Sequence, residues 1–147
     1  NNSGHCPYNA LIAGILWAIA KKVDIMLSSL GTESEYVLLY DAIKKAYKSS
    51  VAVIAACGEN KKTYPAQYPE VFSVAEEKNK LCNHIVFQTT DFLTTFLNGQ
   101  YIKTRGNSLS AAVIAGLSCL LIEDHQKAAK TKLPVQSLYD MLSKIDC

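Results

Sequence analysis

The stretch GNSLSAAVIAGLSCLLIE, residues 106–123, decides the fold predicted for this chain. Its polar Gly-Asn-Ser start is followed by a long run of apolar and small residues, which predicts a buried helix packed against a sheet. The first turn holds Asn107 and Ser108, and either side chain is suited to cap the helix. Close packing predicts that Gly116→Leu destabilises the fold, because overpacking costs about 1–3 kcal/mol. The small residues expected at the contact are Ala111, Ala112, Ala115 and Gly116.

Helical patterns alternate along the chain with short apolar runs that are typical of strands. Further helices are predicted over residues 8–22, 32–50 and 132–145. Strands are predicted within residues 23–31, 51–57 and 71–77, and short strands with turns are predicted within residues 84–90 and 94–102. The helix at 8–22 and the strand at 23–31 are both expected to be buried. Fully apolar strands are typical of a parallel sheet covered on both faces. The sequence therefore predicts one α/β domain over residues 1–147, with a three-layer parallel sheet flanked by helices.

The composition excludes several classes of partner. The chain has 147 residues, of which 49% are hydrophobic and 19% are charged, and its net charge is +2. Such a small charge gives no electrostatic footprint for nucleic acid or for an anionic membrane. The longest apolar run, residues 111–122, is shorter than a bilayer requires. We therefore expect neither nucleic acid nor a membrane as a partner.

The five cysteines are widely spaced and form no CxxC motif. Cys57 and Cys119 lie inside apolar stretches, where a free thiol behaves as a small hydrophobic side chain. An odd count with wide spacing argues against a dense disulfide framework and favours a reducing intracellular compartment; nothing else in the sequence indicates a location. The adjacent pair His5 and Cys6 supplies only two ligands, so no metal site is predicted.

Three segments, taken in order, resemble the subtilisin-like serine peptidases. Residues 12–31, IAGILWAIAKKVDIMLSSLG, resemble the helix and strand that end in Ser-Leu-Gly in that family. Residues 51–60, VAVIAACGEN, and 64–75, YPAQYPEVFSVA, resemble a strand ending in Ala-Ala-Gly-Asn, a Tyr-Pro loop and the next strand. Residues 106–122 resemble the Gly-Thr-Ser-Met-Ala helix of the nucleophile. The resemblance covers nearly the whole chain and implies part of a subtilisin-like fold.

The resemblance implies roles for individual residues. Ser108 occupies the position of the nucleophilic serine at the start of a buried helix. Glu59 occupies the position of the oxyanion-stabilising Asn, and an alignment shifted by one residue places Asn60 there instead. A carboxylate at this position repels a developing oxyanion, whereas an amide donates to it. The residues that line the substrate cleft and pair with an extended peptide are, by the same resemblance, Ser29, Leu30 and Gly31.

A serine hydroxyl is a poor nucleophile without a general base and a carboxylate that orients the base. In the family these two residues, an Asp and a His, lie upstream of the segments matched here, so this chain is expected to lack them. Its own histidines are His5, His84 and His125, and none has the family's context. His125 follows Ser108 by 17 residues, which corresponds to about 25 Å along a helix.

The resemblance implies no organic cofactor for this chain. Calcium binds to many relatives in the family, and several carboxylate or carbonyl oxygens usually hold it. No acidic cluster stands out in this sequence, so no calcium site is identified.

Three functional hypotheses follow from these residues. The first is a degenerate subtilisin-like domain without independent proteolytic activity, which acts in binding or as a subunit. The second is part of a serine endopeptidase with Ser108 as nucleophile, active only when an upstream segment or a second chain supplies the Asp and the His. The third is an unrelated doubly wound domain that binds a small ligand at its strand ends, but no Gly-rich phosphate loop supports it. The first two imply a peptide or protein as partner.

Overall fold

The computed structural model describes residues 6–76, 85–86 and 91–145, with the backbone alone at 85–86. The helices are α1 (Tyr8–Ala20), α2 (Val37–Lys48), α3 (Asn107–Ala129) and α4 (Val135–Leu142). The strands are β1 (Ile25–Ser28), β2 (Ala52–Ala56), β3 (Val71–Ala75), β4 (Ile85–Val86), β5 (Phe92–Thr95) and β6 (Tyr101–Thr104). A short 3-10 turn, Leu97–Gly99, joins β5 to β6.

The main sheet has the strand order β1-β2-β3-β4, and every neighbouring pair is parallel. The second sheet is the antiparallel β5–β6 hairpin. The continuous apolar runs predicted a parallel sheet with both faces covered, and this prediction is confirmed. The short strands with a turn predicted within residues 94–102 are confirmed, because those residues form the end of β5, the turn and the start of β6.

Two hydrophobic clusters, one on each face of the main sheet, form the core. Val53 and Ala55 of β2 point to the face covered by α1 and α2, whereas Ala52 and Ile54 point to the face covered by α3 and α4. This alternation follows from the two-residue period of a strand. Because β2 is buried on both faces, it needs apolar side chains at successive positions. The three-layer α/β architecture is therefore confirmed.

The small residues of α3 divide between its two faces. Ala111 and Ala115 are buried against the sheet, whereas Ala112 and Gly116 are exposed. A Cβ atom added at Gly116 would meet no heavy atom within 4 Å. The expectation that Gly116 lies at a tight helix–sheet contact is therefore wrong, and the strain predicted for Gly116→Leu loses its basis.

Helix α3 is also long and apolar enough to cross a membrane, if length and composition alone are considered. It has 23 residues and a mean hydropathy of 1.3 over its most apolar stretch, a third of which is buried inside the fold. One of its faces contacts β1, β2 and β3. A helix that covers a parallel sheet needs apolar side chains on the covering face, and the buried residues of α3 supply that face.

Helix α1 and strand β1 are less buried than their composition predicts. In α1 only Ile15 and Ala18 are buried, and 63% of Trp17 is exposed. In β1, 42% of Leu27 is exposed. The expectation that both elements are buried is wrong, because within the described residues β1 lies at the edge of the sheet and pairs with β2 alone.

The cysteines also differ from the prediction. Cys57, at the end of β2, forms a disulfide, whereas Cys6 and Cys119 are free and exposed. Cys57 is buried, as expected, but the expectation that its thiol is free is wrong. Disulfides persist mainly in oxidising environments, so the argument for a reducing compartment loses this support.

A buried hydroxyl on α4 ties that helix to the middle of the sheet. The Tyr139 Oη atom accepts the Val53 N–H at 3.1 Å, and its single proton is shared between the carbonyl oxygens of Val53 and Glu70, each 3.1 Å from Oη. Burial raises the pKa of Tyr139 well above its usual value. The hydroxyl therefore stays protonated and keeps both roles at neutral pH.

We predict that Tyr139→Phe lowers the free energy of unfolding by about 1–3 kcal/mol, because buried backbone groups lose their hydrogen-bond partner. Urea denaturation followed by circular dichroism measures the change. Tyr101→Phe is the matched control, because 68% of Tyr101 is exposed. Equal midpoints for the two variants would contradict the role given to this hydroxyl.

Candidate active site

The predicted site residues lie on loops at one edge of the parallel sheet. Residues 29–31 follow β1, residues 58–60 follow β2, and Glu76 follows β3. Parallel strands bring their carboxyl ends to the same edge, which is where α/β sheets usually bind ligands. Helix α3 also begins at this edge, as the contacts of its first residues show. The structure therefore collects the predicted positions from four separate parts of the sequence.

Ser108 lies in the first turn of α3, and its side chain is exposed. The helix begins at Asn107, with Gly106 at the N-cap and no side-chain capping bond. The alternative in which Asn107 or Ser108 caps the helix is therefore wrong. Gly106 has φ 153° and ψ 155°, a conformation that glycine alone adopts readily. The glycine before Asn107 is thus required by the sharp entry into the helix.

The side chain of Asn107 bridges the ends of two strands. Its Nδ2 donates to the carbonyl oxygen of Cys57 at 2.9 Å, after β2. Its Oδ1 accepts the backbone N–H of Glu76 at 2.9 Å, after β3. In return, a carboxylate oxygen of Glu76 accepts the N–H of Gly106. These three hydrogen bonds fix the start of α3, and with it Ser108, relative to the sheet.

The sequence interpretation missed the role of Asn107 beyond a possible cap, and it missed Glu76 altogether. The only sign of Glu76 in the sequence was that a polar residue directly follows an apolar strand. Many loops have this feature, so it does not identify a site residue. Glu76 and Asn107 are 31 residues apart in the sequence. Their reciprocal bonds become visible only once β3 and α3 are placed side by side.

The first backbone N–H groups of α3 point toward the site edge. Those of Leu109 and Ser110 donate to the carbonyl oxygen of Gly106, at 2.9 and 3.1 Å. Within residues 6–76 and 91–145, the N–H groups of Asn107 and Ser108 and the Ser108 hydroxyl have no partner. Free N–H groups at the positive end of a helix dipole stabilise negative charge. The arrangement therefore favours an anion, or a developing oxyanion, beside Ser108.

The loops after β1 and β2 pack against each other through Thr63. A Cβ at Gly58 would contact the Lys61 carbonyl oxygen and lie 2.7 Å from Thr63 Cγ2. A Cβ at Gly31 would lie 3.1 Å from Thr63 Cβ. Only small residues fit on either side of this threonine. The loop that carries Glu59 therefore lies close to the predicted substrate-binding loop.

Two further contacts join the same loops. Thr32 and Tyr64 exchange backbone hydrogen bonds of 2.9 and 2.8 Å. Lys61 Nζ and Glu33 Oε1 form an exposed ion pair of 2.8 Å. The side chains of Glu59 and Asn60 are both exposed. The assignment of the oxyanion position to one or the other stays a prediction.

The one histidine among the described residues, His125, lies far from Ser108. It sits near the other end of α3, where its Nε2 is 3.4 Å from Thr131 Oγ1. His5 and His84 lie outside the described residues. No group of three or more His, Cys, Asp or Glu side chains that could hold a metal ion occurs in the described part of the chain.

Comparison with known proteins agrees with this geometry. The sequence profile of the subtilase family, Peptidase S8, matches residues 1–141. The chain belongs to the subtilase family. It is 32% identical over 135 residues to the minor extracellular protease Epr of Bacillus subtilis, covering 82% of this chain and 21% of that protein. It is 31% identical over 160 residues to the major intracellular serine protease of the same species, covering 97% of this chain and 50% of that protein.

Two further matches support the family and the fold. Subtilisin DY of Bacillus licheniformis is 30% identical over 144 residues, covering 85% of this chain and 52% of that protein. The structure of the prenylagaramide maturation protease PagA superposes with a TM-score of 0.76 at 21% identity, covering 90% of this chain and 55% of that chain. The subtilisin-like α/β fold is thereby established. The chain spans about half the length of Subtilisin DY and of the intracellular protease.

We predict that Asn107→Ala lowers the free energy of unfolding by about 1–3 kcal/mol, because the Cys57 carbonyl and the Glu76 N–H lose their partner. Denaturation in urea without reductant measures the change. Gln126→Ala is the control, since Gln126 is exposed on the same helix. If both variants unfold at the same urea concentration, the bridge does not hold the start of α3.

Proposed function

We propose that this subtilase chain has no proteolytic activity of its own and acts in binding or as a subunit. The observation that supports this proposal is the position of His125 relative to Ser108. It is the one histidine in the described part of the chain, and it follows Ser108 by 17 residues on the same helix. That separation is about 25 Å along the axis, far beyond hydrogen-bond reach.

Half of a hydrolytic site is nevertheless well formed. The hydroxyl of Ser108 is exposed at a helix start held by the Asn107 bridge, and the first N–H groups of the helix, which have no partner among the described residues, favour negative charge. Electrostatic stabilisation of this kind contributes to catalysis even when a triad is incomplete. Without a base, however, the hydroxyl keeps its proton and attacks a carbonyl poorly. Binding of a peptide along residues 29–31 does not depend on the base.

A second candidate is a serine endopeptidase activity that requires additional residues. Here an upstream segment or a second chain supplies the Asp and the His, and Ser108 is the nucleophile. The observation that favours this candidate is the intact support of Ser108: the Asn107 bridge holds the helix start, and with it the Ser108 side chain, at the carboxyl ends of β2 and β3. The related proteases named above are consistent with it.

A serine-directed fluorophosphonate probe separates the two candidates. We expect the chain alone to show no specific labelling, because an unactivated hydroxyl reacts slowly. The matched control is Ser108→Ala, and labelled peptides are mapped by mass spectrometry. Labelling at position 108 that disappears in the variant would overturn the proposal of an inactive chain.

The role of Glu59 is tested in an assembly that does hydrolyse peptides. If Glu59 holds the oxyanion position, Glu59→Asn raises kcat, since one oxyanion donor is worth about 10²–10³ in rate. If Asn60 holds that position, Glu59→Asn has little effect, whereas Asn60→Ala lowers kcat by a similar factor. Comparing kcat for the two variants with a fluorogenic peptide assigns the position to one of these residues.

A further inference from the structure

We infer that the side chain of Thr63 limits which peptides fit beside Ser108: the peptide residue whose carbonyl faces this serine is a glycine or an alanine. Thr63 thus sets the specificity of the site. This inference deepens the proposed function and rests on it, because it requires a peptide that binds along residues 29–31. It concerns the size of one side chain, so it can be tested apart from hydrolysis.

The first observation is a gap between the two loops that follow β1 and β2. The two strands are in parallel register as far as Ser28 and Ala55. Beyond this pair β2 continues beside β3, whereas the chain after Ser28 no longer pairs with β2. The loops therefore separate at the carboxyl edge of the sheet, with Gly31 on one side of the gap and Gly58 on the other.

The side chain of Thr63 occupies this gap. A Cβ atom added to Gly31 would lie 3.1 Å from Thr63 Cβ, and its three nearest heavy atoms, chain neighbours aside, would all belong to the Thr63 side chain. A Cβ atom added to Gly58 would lie 2.7 Å from Thr63 Cγ2. The gap is therefore about as wide as one threonine side chain. Thr63 is half-buried and Gly31 is exposed, so the gap is accessible from solvent.

Backbone hydrogen bonds beside the gap fix its width. Thr32 and Tyr64, which follow Gly31 and Thr63 in the sequence, exchange two backbone bonds of 2.9 and 2.8 Å. These bonds hold the loop after β1 against the segment that carries Thr63. A bulky side chain consequently cannot enter by pushing the loops apart without breaking this pair of bonds.

The gap lies next to the candidate nucleophile. The residue before Gly58 is Cys57, whose carbonyl oxygen is 2.9 Å from Asn107 Nδ2, and Ser108 follows Asn107. An extended peptide along residues 29–31 has side chains that point alternately toward the protein and away from it. When one of its carbonyl groups faces Ser108, the side chain of that residue lies between the loops after β1 and β2. That space is the gap already filled by threonine.

The filled gap leaves room for the smallest residues alone. Glycine has no side chain to place there, and alanine adds a single methyl group. A larger side chain must displace Thr63 from its packed position, and overpacking of this kind weakens binding by about tenfold or more. The discrimination depends on volume and not on the threonine hydroxyl. The class of ligand is therefore a peptide with glycine or alanine at the position that faces Ser108.

Peptide selection tests the size limit. A random heptapeptide library displayed on phage is selected against the chain, Thr63→Gly and Thr63→Val, and circular dichroism verifies that each protein folds. We expect one peptide position to be restricted to glycine and alanine by the chain and by Thr63→Val, because valine and threonine have the same branched shape. Thr63→Gly should accept leucine and phenylalanine at that position.

Fluorescence anisotropy with a labelled peptide from the selection gives the size of the effect. Replacing the glycine at the restricted position by phenylalanine should raise Kd for the chain and for Thr63→Val by about tenfold or more. The same replacement should leave Kd for Thr63→Gly nearly unchanged. Replacements at the other peptide positions should affect all three proteins alike.

A double-mutant cycle tests the filled gap without a ligand. Gly31→Val should lower the melting temperature of the chain by about 3 °C or more, because the new side chain meets Thr63. In a Thr63→Gly background the same change should cost much less. Gly14→Val is the matched control and should cost the same in both backgrounds, since a Cβ atom at Gly14 would meet no heavy atom within 4 Å.

Four results would overturn the inference. They are a selection with no position restricted to small residues, a restriction that persists in Thr63→Gly, peptides retained by Thr63→Gly alone, and an equal cost of Gly31→Val in both backgrounds. If none of the proteins retains a peptide, the peptide-binding part of the proposed function fails together with the inference. Hydrolysis is measured separately with the selected peptides. Cleavage that depends on Ser108 overturns the proposal of inactivity and leaves the size limit standing.

Discussion

The amide of Asn107 donates to the Cys57 carbonyl after β2 and accepts the Glu76 N–H after β3, and the geometry of the site depends on these two bonds. They join a helix to two strand ends that are distant in sequence. Gly106 permits the turn that brings the amide into place. Because the bridge uses the side chain of Asn107, the backbone N–H groups at the helix start remain available to a ligand. Asn107 thus fixes the helix start to the sheet and leaves the positive end of the α3 dipole accessible.

The opposite side of the domain is held by a comparable device. Tyr139 places a single hydroxyl among backbone groups of β2 and of the segment before β3. Around it the apolar side chains of the strands alternate between two clusters, so both helical layers depend on the same short strands. The sheet is therefore held by α3 at the carboxyl ends of β2 and β3 and by α4 near the amino ends of the same two strands. Buried polar contacts of this kind specify which packing the apolar residues adopt.

Much of the fold could be predicted because β2, β3 and α3 have strong apolar patterns that allow few alternatives. The burial of individual helix and strand faces could not be predicted, because an apolar pattern indicates which side chains can be buried but not which element covers them. Leu27 and Trp17 are apolar yet exposed for that reason. Gly116 was misplaced because α3 is apolar on most sides, so composition does not give its rotation. The disulfide of Cys57 and the pair of Glu76 with Asn107 depend on three-dimensional proximity, which local spacing does not reveal.

The exposed edge of β1 also bears on how this polypeptide behaves in solution. Within the part of the chain that the structure describes, β1 pairs on one side only, and an unpaired strand edge with leucine and methionine side chains is a template on which like chains can stack. Ile25–Ser28 contains none of the charged side chains that usually protect an edge strand from pairing with another chain. We therefore expect association of the purified chain to rise with its concentration and to involve the edge of β1.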